Sequence, residues 1–294
     1  MKVGFVCTNY NNSSYTRDAI ASLRSGGGWE DVRVVVVDNK SSDDDIAALE
    51  RVVRDFPRVE LVLNPKNVGY FPGLNIGIRH LRTTFPEVEH VVVGNNDLVF
   101  PETFVETLQR HREVFDTWAV IAPDLVTLDG VHQNPHVVYP FGAFRRLIWD
   151  LYYLSHASAV LVLQVGRVTG SFSVRPERAP RSDLFKMPGP IMIGFGACYL
   201  LGPVFFRHFT RLCGPTFLMA EEFFLSEQLK TIGQMPYYDP RFVITHHDHA
   251  TTDQLPRRRH WQISRDGYRV YKRYLAMSRE EQTSFIAAGI RDPA

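Results

Sequence analysis

The sequence predicts an α/β protein in which a mostly parallel central sheet is flanked by helices. Two observations support this fold class. Short runs rich in valine, isoleucine and leucine alternate with helix-length amphipathic segments along the first third of the chain. Several of these runs are apolar at nearly every position, as expected for strands covered on both faces. With 294 residues, 45% of them hydrophobic, the chain is long enough to bury such a core.

The elements of the first half follow one another in strict alternation. The predicted strands are Lys2–Cys7, Val32–Val37, Val59–Leu63 and a run that starts at Val91. The predicted helices between them are Tyr15–Leu23, Asp44–Asp55 and a segment carrying Leu74, Ile78 and Leu81. Right-handed crossovers place the ends of the first, second and fourth strands at one edge of such a sheet. Tyr10, Asp38 and Asp97 follow these ends, so we expect them to be neighbours.

The alternation breaks between Asp124 and Pro190, where proline, arginine and aromatic residues crowd together. We interpret residues 125–190 as an inserted region, with a loop at Ser171–Phe185 that could cover a site. Order returns afterwards. The later predicted elements are a strand at Ile191–Leu201, helices at Phe217–Leu229 and Ser264–Met277, and a strand that runs into a loop at His246.

Composition excludes several classes of protein. The 33 basic and 32 acidic residues give a net charge of +1, which argues against bulk nucleic-acid binding. Three widely spaced cysteines form neither a disulfide framework nor a zinc motif, and they favour a reducing cytoplasm. The first apolar run is too short for a signal peptide. Polar residues interrupt the longest apolar region, Leu147–Val165, so no transmembrane span is expected.

The three side chains at the predicted sheet edge have complementary chemistry. Tyr10 offers an aromatic ring, Asp38 offers a carboxylate that can accept from a base or a ribose, and Asp97 offers a ligand for a hard cation. Such a set predicts a nucleotide and metal site where strands end. The alternative is that all three are helix caps and turn residues, roles in which Asp and Asn are common.

Four motifs then occur in an order and spacing that resemble family 2 glycosyltransferases, over roughly the first 125 residues. They are Thr8-Asn-Tyr10-Asn11, Val37-Asp38-Asn39 with Ser41 or Ser42, Asn67-Val-Gly69 with Gly73 and Asn75, and Asn95-Asn-Asp97. Members of this family are inverting enzymes of the GT-A fold that use nucleotide-sugar donors. The pattern is similar to that of rhamnosyltransferase-like enzymes of polysaccharide assembly.

The resemblance implies a donor site built from these motifs. Thr8, Tyr10 and Asp38 would hold the nucleobase and the ribose, and Asn67 would face the nucleotide.

A metal is implied by the same resemblance. Asn95 and Asp97 occupy the outer positions of the family's D-x-D motif, with Asn95 contacting the donor. Because Asn replaces the first aspartate, Asp97 is the expected ligand of Mn²⁺ or Mg²⁺. Such a cation stabilises the charge that develops on the leaving diphosphate. A second protein ligand must come from elsewhere.

A histidine cluster supplies that ligand by resemblance. The family places a metal-binding histidine where a strand ends, and His246 fits this pattern best, with His247 as the alternative.

The acid pair Glu221 and Glu222 supplies a base. An inverting transfer needs one base to remove the acceptor hydroxyl's proton, and apolar surroundings raise a carboxyl pKa toward a useful value. Adjacent helical positions point about 100° apart, so at most one readily faces a given cavity. In the resembled family the second member of the pair is the base, which is Glu222 here. The family's further acid is replaced by Phe224. Alternatively, both glutamates only favour the helix dipole.

Two basic and aromatic segments bear on partners. Arg145, Arg146, Trp149, Tyr152 and Tyr153 would lie on a helix that rests against a membrane surface or a lipid-linked acceptor, or that is simply a half-buried amphipathic helix. Arg257 opens a basic carboxyl-terminal region that could contact a diphosphate or anionic lipid, or form a solvated helix face.

Together these observations predict a single GT-A domain over residues 1–294, with a nucleotide-sugar half (1–124) and an acceptor half (125–294). The expected reaction is metal-assisted transfer of a hexosyl or deoxyhexosyl group from a nucleoside diphosphate to an acceptor hydroxyl. Polysaccharide or lipid-linked glycan assembly is the expected setting, in the cytoplasm or peripherally at the inner face of the membrane.

Two other functions stay open. One is a catalytically inactive nucleotide- or glycan-binding module. The other is a nucleotidyltransferase, which should carry a glycine-rich basic loop after its first strand; Thr8–Ser14 contains no Gly, Lys or Arg. The sugar, the nucleobase, the acceptor and the oligomeric state are not determined by the sequence.

Overall fold

The computed structural model describes residues 1–169, 183–247 and 257–290. Its strands are β1 (Val3–Asn9), β2 (Val32–Asp38), β3 (Val59–Leu63), β4 (His90–Gly94), β5 (Leu98–Val99), β6 (Val120–Thr127), β7 (Gly189–Pro190), β8 (Cys198–Leu201) and β9 (Tyr237–His246). Its helices are α1 (Ser13–Ser25), α2 (Asp43–Asp55), α3 (Tyr70–Thr84), α4 (Phe104–Arg110), α5 (Val114–Thr117), α6 (Ala143–Leu154), α7 (His156–Thr169), α8 (Pro203–His208), α9 (Glu221–Lys230), α10 (Arg257–Leu275) and α11 (Arg279–Ile290).

One mixed sheet joins the strands from both halves of the described chain. Its order is β3-β2-β1-β4-β8-β6-β9-β5, and β7 pairs with β9 outside this path. Strand β1 runs parallel to both β2 and β4, and β2 runs parallel to β3. Buried side chains cover both faces of these strands, with Phe5 in one cluster and Val6 in the other. The predicted α/β fold with a mostly parallel sheet flanked by helices is therefore confirmed.

The sheet departs from the predicted alternation in its centre. Strand β8 lies antiparallel between β4 and β6, and it covers only the last four residues of the strand predicted at Ile191–Leu201. The residues before it bond elsewhere: Phe195 N–H donates to Asn134 Oδ1 at 2.8 Å, and Asn95 N–H donates to the Ala197 carbonyl at 2.8 Å. The segment before β8 is therefore a loop that bonds to Asn134 and Asn95.

The helix predicted from Phe217 begins later, at Glu221. Met219 and Ala220 immediately before it adopt left-handed backbone conformations, with φ of 71° and 69°. Right-handed helices exclude this conformation, so the helix cannot start until these two residues have passed.

Helices α6 and α7 form a hairpin beside α9 and α10. The helix predicted around Trp149 is present as α6, and the loop predicted at Ser171–Phe185 lies largely outside the described residues. Among the described helices, none is both long and apolar enough to cross a bilayer.

Candidate active site

The ends of β1, β2 and β4 meet at one edge of the sheet, as predicted. Asn9 lies opposite Asp38 in the β1–β2 register, and Cys7 lies opposite Gly94 in the β1–β4 register. Parallel pairing of consecutive βαβ units produces this convergence. The loops that follow these three strands consequently share one polar surface.

A buried polar network joins those loops. The Asn96 amide donates to Asn12 Oδ1 at 2.8 Å and to Thr16 Oγ1 at 2.7 Å. The Thr16 hydroxyl in turn donates to Asn9 Oδ1 at 2.8 Å, and the Asn9 amide donates to Asp45 Oδ2 at 2.7 Å. The sequence interpretation missed this network, although polar residues at the last positions of buried strands are a signal for it.

Asp38 belongs to this network. Its carboxylate is fully buried, accepting from the Asn9 amide and the Ser41 hydroxyl on Oδ1 and from the Ser41 N–H on Oδ2 at 2.9 Å. The 0% exposure of this carboxylate and its three donors fit the turn-residue alternative, in which Asp38 holds the loop after β2. Contact of Asp38 with a nucleobase or ribose stays a prediction.

The other predicted donor-site residues remain accessible. Tyr10 is 43% exposed, and Thr8 and Asn95 are half-buried. Asn67 is half-buried and its Oδ1 accepts from Gly69 N–H at 3.0 Å, so the side chain shapes the turn before α3. Nucleotide contacts by Thr8, Tyr10, Asn67 and Asn95 stay predictions.

The turn before α3 permits a close backbone contact. Gly69 has φ of 91°, and a Cβ at this position would lie 2.0 Å from the Phe217 carbonyl oxygen. That carbonyl accepts from Tyr70 N–H at 2.9 Å, which joins the start of α3 to the loop that leads into α9.

We expect Gly69→Ala to lower the free energy of unfolding by about 3 kcal/mol or more, because it adds a steric overlap to a strained backbone. Gly130→Ala is the matched control: its φ is 79°, but nothing lies within 4 Å of the added Cβ. The control should cost only about 1 kcal/mol. Urea unfolding measures both values, and equal losses would contradict the role of the Phe217 contact.

Asp97 and His246 lie side by side beyond the end of β4. The distance from His246 Nε2 to Asp97 Oδ1 is 3.2 Å, and both residues are buried. Asn95 Nδ2 lies 3.3 Å from the same imidazole nitrogen. The pairing of Leu98 with His246 between β5 and β9, together with a 3.0 Å bond from His247 N–H to the Asp97 carbonyl, holds the two segments together.

Gln133 orients the imidazole of His246. His246 Nδ1 lies 2.7 Å from Gln133 Oε1, and an amide oxygen only accepts, so Nδ1 carries the hydrogen. Nε2 faces Asp97, and in the neutral imidazole its lone pair is the one that can bind a metal. His247 instead packs its ring against Tyr15, with the centroids 5.6 Å apart. The geometry thus favours His246 over His247.

These residues fit a divalent cation in part. A carboxylate oxygen, an imidazole nitrogen and the amide of Asn95 form a mixed donor set of the kind that Mn²⁺ accepts. Within the described residues no group of three His, Cys, Asp or Glu side chains could hold a metal. Diphosphate oxygens and water would have to complete the coordination. Asp248 and His249 lie outside the described residues.

The two glutamates at the start of α9 have different surroundings. Glu221 is 3% exposed, and burial followed by the charge of Glu222 raises its pKa to about 8. Its Oε1 meets no hydrogen-bond donor in the described part of the chain. Glu222 is half-buried, burial raises its pKa, and its Oε2 lies 3.6 Å from the position of a Cβ on Gly196. Glu222 therefore faces the loop before β8 and Glu221 faces the interior.

The position of the family's further acid is part of the core. Phe224 is completely buried and packs on Tyr271, Tyr274 and Phe285, with ring centroids 5.6 to 5.9 Å apart. An ionised carboxylate at this position would lose its hydration without gaining a partner.

Glu221→Gln should flatten the pH dependence of stability. The pKa of Glu221 is about 8 in the folded chain and about 4.5 when unfolded, so between these pH values only the folded chain keeps the proton. Stability therefore falls as the pH rises through this window. Gln cannot ionise and removes this contribution.

Thermal unfolding at about pH 5 and about pH 8 measures the effect. The decrease in Tm from the lower to the higher of these pH values should be smaller in Glu221→Gln than in the unmodified protein. Glu280→Gln, at an exposed glutamate of α11, is the control and should leave the loss unchanged. Equal losses in all three proteins would show that Glu221 is ionised in the folded state.

The sequence comparisons agree with this architecture. The model of "Glycosyl transferase family 2" matches residues 5–161, more than half of the chain. No curated protein sequence matches.

Three solved structures are similar to this one. GalNAc-T7 with UDP, GalNAc and Mn²⁺ has a TM-score of 0.55 at 11% identity, over 83% of this chain and 43% of that one. Mannosyltransferase PcManGT from Pyrobaculum calidifontis, in complex with GDP-Man and Mn²⁺, has a TM-score of 0.52 at 13% identity, over 98% and 73%. S. aureus TarS has a TM-score of 0.39 at 18% identity, over 48% and 24%. The chain spans less than half the length of the first and the last, and the likeness to the first two concerns the fold alone at these identities.

Proposed function

This chain belongs to glycosyl transferase family 2, and we propose that it transfers a sugar from a nucleoside-diphosphate donor to an acceptor hydroxyl with inversion and with the help of Mn²⁺ or Mg²⁺. One observation carries the proposal. The loop before β8 connects the two chemical groups: Asn95 N–H, beside the Asp97–His246 pair, bonds to Ala197, and Glu222 faces the adjacent Gly196. A donor diphosphate and an acceptor hydroxyl bound at this loop would lie between metal ligands and base.

Each group has one role in this reaction. Asp97 and His246 would hold the cation, which supplies positive charge for the leaving diphosphate. Glu222 removes the proton of the acceptor hydroxyl while the hydroxyl oxygen forms a bond to the anomeric carbon. The bond from that carbon to the diphosphate oxygen breaks at the same time. Burial raises the pKa of Glu222, which makes it a stronger base than an exposed carboxylate.

The donor would bind to residues at the ends of the strands. The exposed ring of Tyr10 suits stacking on a nucleobase, and Thr8, Asn67 and Asn95 offer hydrogen-bonding groups around it. The work would divide between residues 1–124, which bind the donor, and residues 125–294, which bind the acceptor.

The finer setting follows from the family resemblance and the cysteines. We place the enzyme in polysaccharide or lipid-linked glycan assembly, with hexosyl or deoxyhexosyl transfer of the rhamnosyltransferase type. Cys7, Cys198 and Cys213 are all free and buried, which suits a reducing cytoplasm.

A thermal-shift panel of UDP-, GDP- and dTDP-sugars, each with and without Mn²⁺, tests the function. One donor class should raise the Tm, and only with Mn²⁺ present, because a ligand at 100 times its Kd stabilises the folded chain by about 2.7 kcal/mol. The failure of every donor to shift the Tm would contradict the proposal. Hydrolysis of the bound donor then separates an enzyme from an inactive binding module.

A further inference from the structure

The outer surface of the α6–α7 hairpin is apolar. Its exposed apolar side chains, which we call the hairpin face, are Phe144, Leu147, Leu151, Leu154, Val160, Leu161, Leu163, Val165 and Val168. On α6 these residues are spaced three or four positions apart, so they form one stripe along the helix. Leu154 and Phe144 at its two ends are each 69% exposed.

Helix α7 is apolar and exposed on nearly all of its sides. It contains no acidic residue, and of its described side chains only Ala159 is buried. Ser155 fixes its start, because the Ser155 hydroxyl accepts from Ser158 N–H at 3.0 Å. A helix that is apolar on all sides is usually buried, so contact with an apolar environment would stabilise α7 and the rest of the hairpin face.

The inner side of the hairpin is already satisfied. Tyr153 stacks on Tyr268 of α10 with the centroids 4.6 Å apart, and Trp149 packs edge-on against Phe223 of α9. Trp149 and Tyr153 therefore contact the protein, which agrees with the alternative of a half-buried amphipathic helix. The opposite, exposed side of α6 is the one that can contact a membrane.

The chain offers little to cover this face itself. Of the residues outside the described ranges, 170–182 directly follow α7 and contain only Phe172 and Val174 as large apolar residues. The hairpin face has nine. Phe172 and Val174 are too few to cover an apolar surface of this size.

Charge distinguishes between two other partners that could cover the hairpin face, a second copy of the chain and a lipid bilayer. Arg146 and Arg167 are exposed on the two helices, and the one acid of these helices, Asp150, already pairs with Lys272 at 2.5 Å. Residues 170–182 add three arginines and one glutamate. A second copy of the chain would bring like charges together, whereas an anionic bilayer attracts them. Apolar helices with basic neighbours are typical of proteins that lie in the membrane interface.

We propose that the hairpin face docks on an anionic phospholipid bilayer, with the axes of α6 and α7 lying in the plane of the interface. The inner side of the same hairpin packs against α9 next to Glu222, because Trp149 contacts the adjacent Phe223. The consequence for catalysis rests on the proposed transfer function: docking brings the base Glu222 to the membrane surface and selects acceptors linked to a lipid.

Sedimentation with vesicles tests the docking without any donor. The unmodified protein should sediment with vesicles of phosphatidylcholine and phosphatidylglycerol, and less with phosphatidylcholine alone. The double variant Leu151→Glu, Leu161→Glu should bind at least about tenfold more weakly, because it places two charges in the apolar stripe. Leu128→Glu alters a leucine in a turn outside the hairpin that is more exposed than either of these two, and it should bind normally.

The outcomes separate docking from the other occupants and from loss of function. Both positions are exposed, so the double variant should keep its Tm and its donor-induced thermal shift. Equal sedimentation of the double variant, or no sedimentation of the unmodified protein with anionic vesicles, overturns the proposal. A dimer that the double variant dissociates would assign the face to a second copy instead. Loss of the donor shift in every protein would reject the transfer function and leave docking standing.

Discussion

Glu222→Gln is expected to lower the rate of sugar transfer by about 10²- to 10⁴-fold while donor binding persists, because a positioned general base contributes an effect of this size. Gln keeps the shape of the side chain but cannot take a proton. Glu222 faces the loop before β8 and not the strand ends, so the donor site should be undisturbed. Turnover with saturating acceptor gives the rate, and titration calorimetry gives the Kd of the donor.

Glu221→Gln provides the matched control at the adjacent position. Glu221 is buried and keeps its proton up to about pH 8, so it is not available as a base at neutral pH. Its substitution should therefore affect transfer much less than that of Glu222. Unchanged turnover in Glu222→Gln, or a larger loss in Glu221→Gln, would assign the base elsewhere.

The pH profile gives an independent measure of the base. Burial raises the pKa of Glu222, and a general base works only when deprotonated, so kcat should fall on the acid side of this raised pKa. The residual activity of Glu222→Gln should lack this acid limb. An identical limb in both proteins would indicate that another group titrates.

His246→Ala is expected to weaken Mn²⁺ binding in the presence of donor nucleotide by at least about 100-fold. Loss of a group that orients a metal ligand already costs about 10- to 100-fold, and loss of the ligand itself should cost more. Gln133→Ala, which frees the His246 ring without removing it, should fall in the lower range. Titration calorimetry of Mn²⁺ into protein with nucleoside diphosphate measures all of these affinities.

His247→Ala is the control for the metal site. This residue is the neighbour of His246 in sequence, yet its ring packs on Tyr15, so the affinity for Mn²⁺ should not change. An unaffected affinity in His246→Ala, or a larger effect in His247→Ala, would reject the assignment. Equal affinities for His246→Ala and Gln133→Ala would mean that His246 does not ligate the metal directly.

The sequence by itself determined the α/β fold and the sheet edge at which the candidate site lies. Apolar runs and helical spacing are local signals, and the handedness of βαβ units converts them into neighbouring strand ends. The bounds predicted for Val59–Leu63 agree with β3, and those for Asp44–Asp55 differ from α2 by one residue. The family motifs consist of a few adjacent residues, so they are local signals as well.

Only the tertiary structure decided what each side chain does at that edge. Asp38 is enclosed by Asn9 and Ser41, and the Asn95–His246 contact joins residues 151 positions apart. Gln133 reaches His246 across 113 positions. Burial and partner geometry arise from packing between distant segments, and no local pattern encodes them. For this reason Asp38 and Asp97 look alike in the sequence, yet one holds a loop and the other lies beside a histidine.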